Sequence, residues 1–181
     1  MQNLAIKPDL SGAILTGLFK DYKNAEWAYQ DLLERGYKKE DIHLLMSEEI
    51  RKKYFPDVPK TETGNEILKG AGLGASIGGG LGAITAAIAA TGTTLAIPAL
   101  GLIISGPLAA SLAGAGAGGL AGGIVGALVG TGIPDEKAKI YENGIKAGGI
   151  VVGVTPNSKA DATIIENKWK EHKAETIFTS Q

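Results

Sequence analysis

No cysteine occurs among the 181 residues. That excludes disulfides, thiolate metal ligands and thiol nucleophiles. Histidine is nearly absent too, with His43 and His172 alone. Charge is missing from the whole middle of the chain. Positions 70 to 134 carry no Asp, Glu, Lys, Arg, His or aromatic side chain, over 65 consecutive residues. Such a stretch offers no carboxylate or imidazole for acid–base catalysis or metal binding. The opening MQNLAIKPDLSG lacks the basic stretch and apolar run of a secretory signal. Together with the absent cysteines, this leads to the expectation that the charged flanks lie in the cytoplasm.

Glycine and alanine fill the uncharged centre, which holds nineteen of the 27 glycines. Gly70, Gly74, Gly78 and Gly82 recur every fourth residue, as do Gly114, Gly118, Gly122, Gly126 and Gly130. On a helix that step keeps positions close to one face. Two ridges without side chains let helix backbones approach closely, so these nine glycines are the expected helix-packing residues. Beside them run Leu73, Ile77, Leu81, Ile84 and Ile88, then Leu120, Ile124 and Leu128. These bulky residues are expected to face lipid or another subunit. A helix over residues 70 to 90 would be about 31 Å long, near the ~30 Å hydrocarbon core of a bilayer.

The flanks read as an ordinary α+β protein. A strand is expected at residues 13 to 19, then a helix from Asp21 to Arg35 with Ala25, Ala28, Tyr29 and Leu32 on its apolar face and Gly36 as its stop. Residues 42 to 46 make a second strand. Residues 48 to 63, with Pro56 and Pro59, read as a loop or connector. The first ladder helix starts near residues 63 to 66 and runs to about 90; residues 91 to 107 form a turn region with Pro98 and Pro107; the second ladder helix covers about 107 to 131. Pro134 then opens a helix bearing Ala138, Tyr141 and Ile145. Residues 149 to 155 form a strand, Ser158 caps a helix with Ala162, Ile165 and Trp169 on one side, and residues 175 to 179 form the last strand. The expected fold is α+β, a ferredoxin-like split β-α-β sandwich with an inserted glycine-zipper helical hairpin. Its parts are residues 1–62 (β-α-β and connector), 63–132 (apolar hairpin) and 133–181 (α-β-α-β).

The run LTGLFKDYKNAEWAYQDLLERGYKKEDIHLL, the glycine–alanine centre, and GALVGTGIPDEKAKIYENGIKAGGIVVGV together resemble the small bacterial general-stress-protein family. Gly17, Phe19, Ala25, Leu32, Gly36, Pro134, Ala138, Tyr141, Gly144, Gly148 and Gly149 carry the likeness. The resemblance implies a stress-induced protein that is not an enzyme.

Other patterns weigh less. Gly114, Gly116 and Gly119 match G-x-G-x-x-G with Asp135 following, but that motif needs a strand before it, and a helical run continues through it here. His43 and His172 read as surface histidines. Glu48, Glu49, Asp57 and Glu62 fit no cation loop. Trp27 and Trp169 read as packing residues, and Ser76, Ser105 and Ser111 as hydroxyls bonded to helix backbone. With 18 basic and 19 acidic residues there is no nucleic-acid footprint. No catalytic, cofactor or metal residues are expected, and no small-molecule substrate. The expected function is that of a non-enzymatic stress-type protein whose glycine-zipper hairpin inserts into or associates with the cytoplasmic membrane and drives self-association, with another copy of the chain and membrane lipid as the expected partners. Lys52, Lys53, Lys60, Lys69, Lys137, Lys139 and Lys146 would hold both flanks at the inner face of the cytoplasmic membrane. The alternative is a soluble ring, tube or filament that buries the same hairpin between subunits.

Overall fold

A computed structural model describes residues 13–55, 84, 95–97, 101–109, 123–130 and 132–179. One antiparallel sheet of six strands organises them, in the order β3-β4-β2-β5-β1-β6. The strands are β1 (Leu15–Phe19), β2 (Ile42–Ser47), β3 (Leu95–Ile97), β4 (Leu102–Ser105), β5 (Ile150–Val154) and β6 (Thr176–Thr179). The helices are α1 (Tyr22–Glu34), α2 (Glu48–Tyr54), α3 (Gly123–Gly130), α4 (Asp135–Lys146) and α5 (Lys159–Glu171).

Each βα junction has a local cause. Asp21 accepts the Lys23 amide at 2.6 Å to start α1, and Ser158 accepts the Asp161 amide at 3.1 Å to start α5. Alternation along the strands then sorts side chains to two faces. Leu15 and Phe19 join Ile42, Leu44, Met46, Val152 and Val154 on one face. There α1 contributes Ala25, Ala28, Tyr29 and Leu32, and α5 contributes Ile165 and Trp169, the latter edge-on to Phe19 at 5.8 Å. Leu18, Leu45, Leu102, Ile104 and Val151 point to the other face, under Ile124, Ala127 and Leu128 of α3 and Ala138, Tyr141 and Ile145 of α4. Both faces of the sheet are therefore covered.

β5, from the second flank, seats between β1 and β2, pairing Gly17↔Val152 on one side and Leu44↔Val152 on the other. The two flanks thus build one sheet.

The structure corrects several expectations. Residues 48 to 54 are helical. Ser47 Oγ accepts the Ile50 amide at 3.2 Å, Glu48 and Glu49 lie in the first turn, Arg51 to Lys53 in the last, and the prolines begin only at Pro56. Residues 95–97 and 102–105 are strands and not a turn at the tip of a helical hairpin. They extend the sheet through Ala96↔Ile103 and Met46↔Ile103. The second ladder is not one straight helix either, because Gly123 has φ +69, a left-handed conformation that an α-helix cannot pass through. Gly126 and Gly130 therefore sit on a helix that starts afresh at Gly123.

Candidate functional site

Across the face covered by α3 and α4 runs a row of positions that includes buried polar side chains. Thr16 on β1 lies opposite Gly153 on β5, which lies opposite His43 on β2. Gly153 leaves room for both neighbours. A Cβ there would sit 3.0 Å from Thr16 Cγ2 and 3.2 Å from His43 Cδ2. From α4 above, the Tyr141 hydroxyl comes within 2.7 Å of Thr16 Oγ1 and donates to the Thr16 carbonyl at 3.2 Å. The Thr16 hydroxyl also reaches the Phe178 carbonyl of β6 at 3.3 Å.

His43 is 2 % exposed, against the expectation of a surface histidine. Its Nδ1 accepts the Leu108 backbone N–H at 3.1 Å, so in this arrangement the ring proton belongs on Nε2. Nε2 has no hydrogen-bond partner among the described residues. Burial pushes the imidazole down from its ordinary 6.5 to about 4, since desolvation penalises the cation. Burial likewise pushes the Tyr141 phenol up to about 12, the Thr16 hydroxyl pulling slightly the other way. At neutral pH this row is uncharged. It ties α4 to β1 and the segment after β4 to β2.

Among the shallow depressions of the described surface are two with tyrosine at their border. One, of about 460 Å³, is bordered by Lys20 to Lys23, Tyr54 and Gly148, with Tyr22 and Tyr54 stacked at 5.0 Å. The other, about 290 Å³, is bordered by Tyr37, Asp41, Pro107, Thr155 and Asn157. Tyr37 donates to the Asp161 carboxylate and accepts the Asn157 amide at 3.0 Å, which fastens the β5–α5 loop. Burial and that carboxylate push the Tyr37 phenol up to about 12. Among the described residues no group of three or more His, Asp or Glu side chains converges as a metal site.

The expected packing residues divide sharply. Gly70, Gly74, Gly78, Gly82, Gly114, Gly118 and Gly122 lie outside the described residues, as do Leu73, Ile77, Leu81, Ile88 and Leu120. Gly116, Gly119, Asp57, Glu62, Ser76 and Ser111 also lie outside them. Gly126 is half-buried and Gly130 is exposed, with no atom within 4 Å of where its Cβ would be. Among the described residues, no other element packs closely against Gly130. Ile84, Ile124 and Leu128 are buried in the chain's own core, which corrects the expectation that they face lipid or a neighbour. The Ile84 amide is held by the Glu26 carboxylate of α1 at 3.3 Å, so this part of the first ladder is fastened to the flank. Ser105 is buried on a strand and not on a helix. Trp169 is fully buried, while Trp27 stacks on His172 at 3.3 Å.

Sequence reasoning missed Thr16, His43 and Gly153 as a set. One signal was available: His43 lies two residues before Leu45, so alternation puts both on the same buried face. Neither family models, nor curated proteins, nor solved structures yield a match to this chain.

Proposed function

We propose that this is a non-enzymatic protein of general-stress type that self-associates through its uncharged, glycine-rich segment. The observation that carries the reading is the outer side of α3. This octapeptide, GIVGALVG, has no polar side chain. Ile124, Ala127 and Leu128 turn inward, which leaves Val129 42 % exposed and Gly130 bare, and the adjoining α4 adds Ile140 at 41 %. The exposed end of α3, Val129 and Gly130, beside the exposed Ile140 offers a place for an apolar cover. A second copy supplies one, and side-chain-free positions let backbones come close. We read β2-β5-β1-β6 with α1 and α5 as a ferredoxin-like split β-α-β core, which the strand order and directions support. The glycine-zipper contact belongs to the same proposal.

A second reading attaches the same segment to the inner face of the cytoplasmic membrane. The flanking lysines favour it, yet three of them already pair with carboxylates one turn away: Lys52 with Glu48, Lys139 with Asp135 and Lys146 with Glu142. No helix among the described residues is long and apolar enough to cross a membrane. Self-association therefore ranks first.

Sedimentation velocity tests the choice. The intact chain should run as particles well above monomer mass without lipid, and Val129→Glu with Ile140→Glu, at the two exposed apolar positions, should return it to monomer. A monomeric intact chain that floats with anionic vesicles would replace the first reading by the second.

A further inference from the structure

His43 has a second role in the geometry, separate from any self-association. The chain leaving β4 turns at Gly106, where φ is +82 and a Cβ would stand 2.2 Å from the Ile42 carbonyl oxygen. Only glycine fits so close to the start of β2. Pro107 has no N–H, so Leu108 offers the first amide of the helical residues 107–109 that follow. His43 Nδ1 takes that amide. The turn into the glycine–alanine run thus rests on a buried imidazole lone pair.

We propose that His43 is an acid-sensitive latch: its neutral ring holds the Leu108 amide and pins the segment after β4, and protonation of Nδ1 releases it. Protonation removes the acceptor and turns N–H against N–H. It also places a cation where no side chain of the described residues carries an answering charge. On this face β1 offers the Thr16 hydroxyl, β5 a glycine and α4 the Tyr141 phenol, while β4 and α3 offer aliphatic side chains. Apart from the buried tyrosines and Trp169, Thr16, His43 and Ser105 are the buried polar side chains of the described residues, and no carboxylate is among them. Burial alone accounts for the low affinity of His43 for a proton.

The sign follows from linkage. Closed, the ring takes a proton at about pH 4; released into water it does so near 6.5. Above 6.5 both forms are neutral and the latch is unaffected. Between 6.5 and 4 the open form binds more protons, so opening gains up to about 300-fold, levelling off below 4.

Amide exchange by NMR, corrected for intrinsic rates, reads this directly. Histidine Cε1–H signals are followed in parallel, with His172→Gln assigning the two rings. Protection at Leu108 should fall as pH drops from 6.5 to 4, while Val152 of β5 stays protected. His43→Gln keeps an uncharged acceptor and should hold Leu108 independently of pH; His43→Leu should leave it unprotected throughout. Protection at Leu108 that persists while His43 titrates would overturn the latch. So would acid loss in His43→Gln equal to that of the unaltered chain, or a uniform loss that includes Val152. Release without any growth in particle size would support the latch and detach it from self-association.

Discussion

A single added methyl separates two kinds of tight spot in this chain. At Gly106 it would meet a backbone carbonyl oxygen that cannot turn aside, in a left-handed conformation that alanine resists. At Gly144 it would stand 2.3 Å from Leu18 Cδ2, the end of a side chain that can rotate, though in a packed layer. Gly106→Ala should therefore cost about 3 kcal/mol and Gly144→Ala about 1 kcal/mol in urea unfolding. The reverse order would contradict the close approach of the post-β4 turn to β2. Composition does not separate these two glycines from their many neighbours. The apolar faces of α1 and α4, by contrast, were legible: Ala25, Ala28, Tyr29, Leu32, Ala138, Tyr141 and Ile145 are all buried. Helical spacing carries that information locally. Thr16 and Tyr141 meet across 125 positions of sequence, and no local pattern announces such a pair.

Elements announced themselves where their end signals lie in the sequence. Ser158 caps α5 as its position implies, and Gly36 follows α1 with φ +91. Ser47 does the same for α2, a signal unused where Pro56 and Pro59 pointed to a connector. Ser158→Ala should lower stability by about 1 kcal/mol, measured by thermal unfolding, because the Asp161 amide loses its acceptor. An unchanged midpoint would mean that water or another group caps α5 equally well. β3 and β4 could not be read locally. Gly101, Pro98 and Pro107 give their surroundings the composition of a turn, and a short aliphatic run becomes a strand only through a partner. β4 pairs with its near neighbour β3, but the strand that joins both to the sheet is β2, more than fifty residues earlier.

At the level of the molecule, helices on both faces share one sheet. Trp169 reports on the α1–α5 side, whereas the far-ultraviolet signal sums every helix and strand. Tryptophan fluorescence and circular dichroism should therefore unfold at the same urea concentration. A separate earlier transition in either would show that the α3–α4 layer comes away by itself. The uncharged centre looked like an independent device because composition changes so abruptly at its borders. In three dimensions Ile84, β3, β4 and α3 knit parts of it into both layers.

The seat of β5 also governs the order of events at the ribosome. Synthesis runs from the first flank to the last, and β1 and β2 stay apart until Val154 has emerged. By then the entire greasy stretch is already outside the exit tunnel, with β2, β3 and β4 able to pair but not yet joined to β1. Chaperone demand should accordingly peak late in translation, and truncations ending before residue 150 should aggregate.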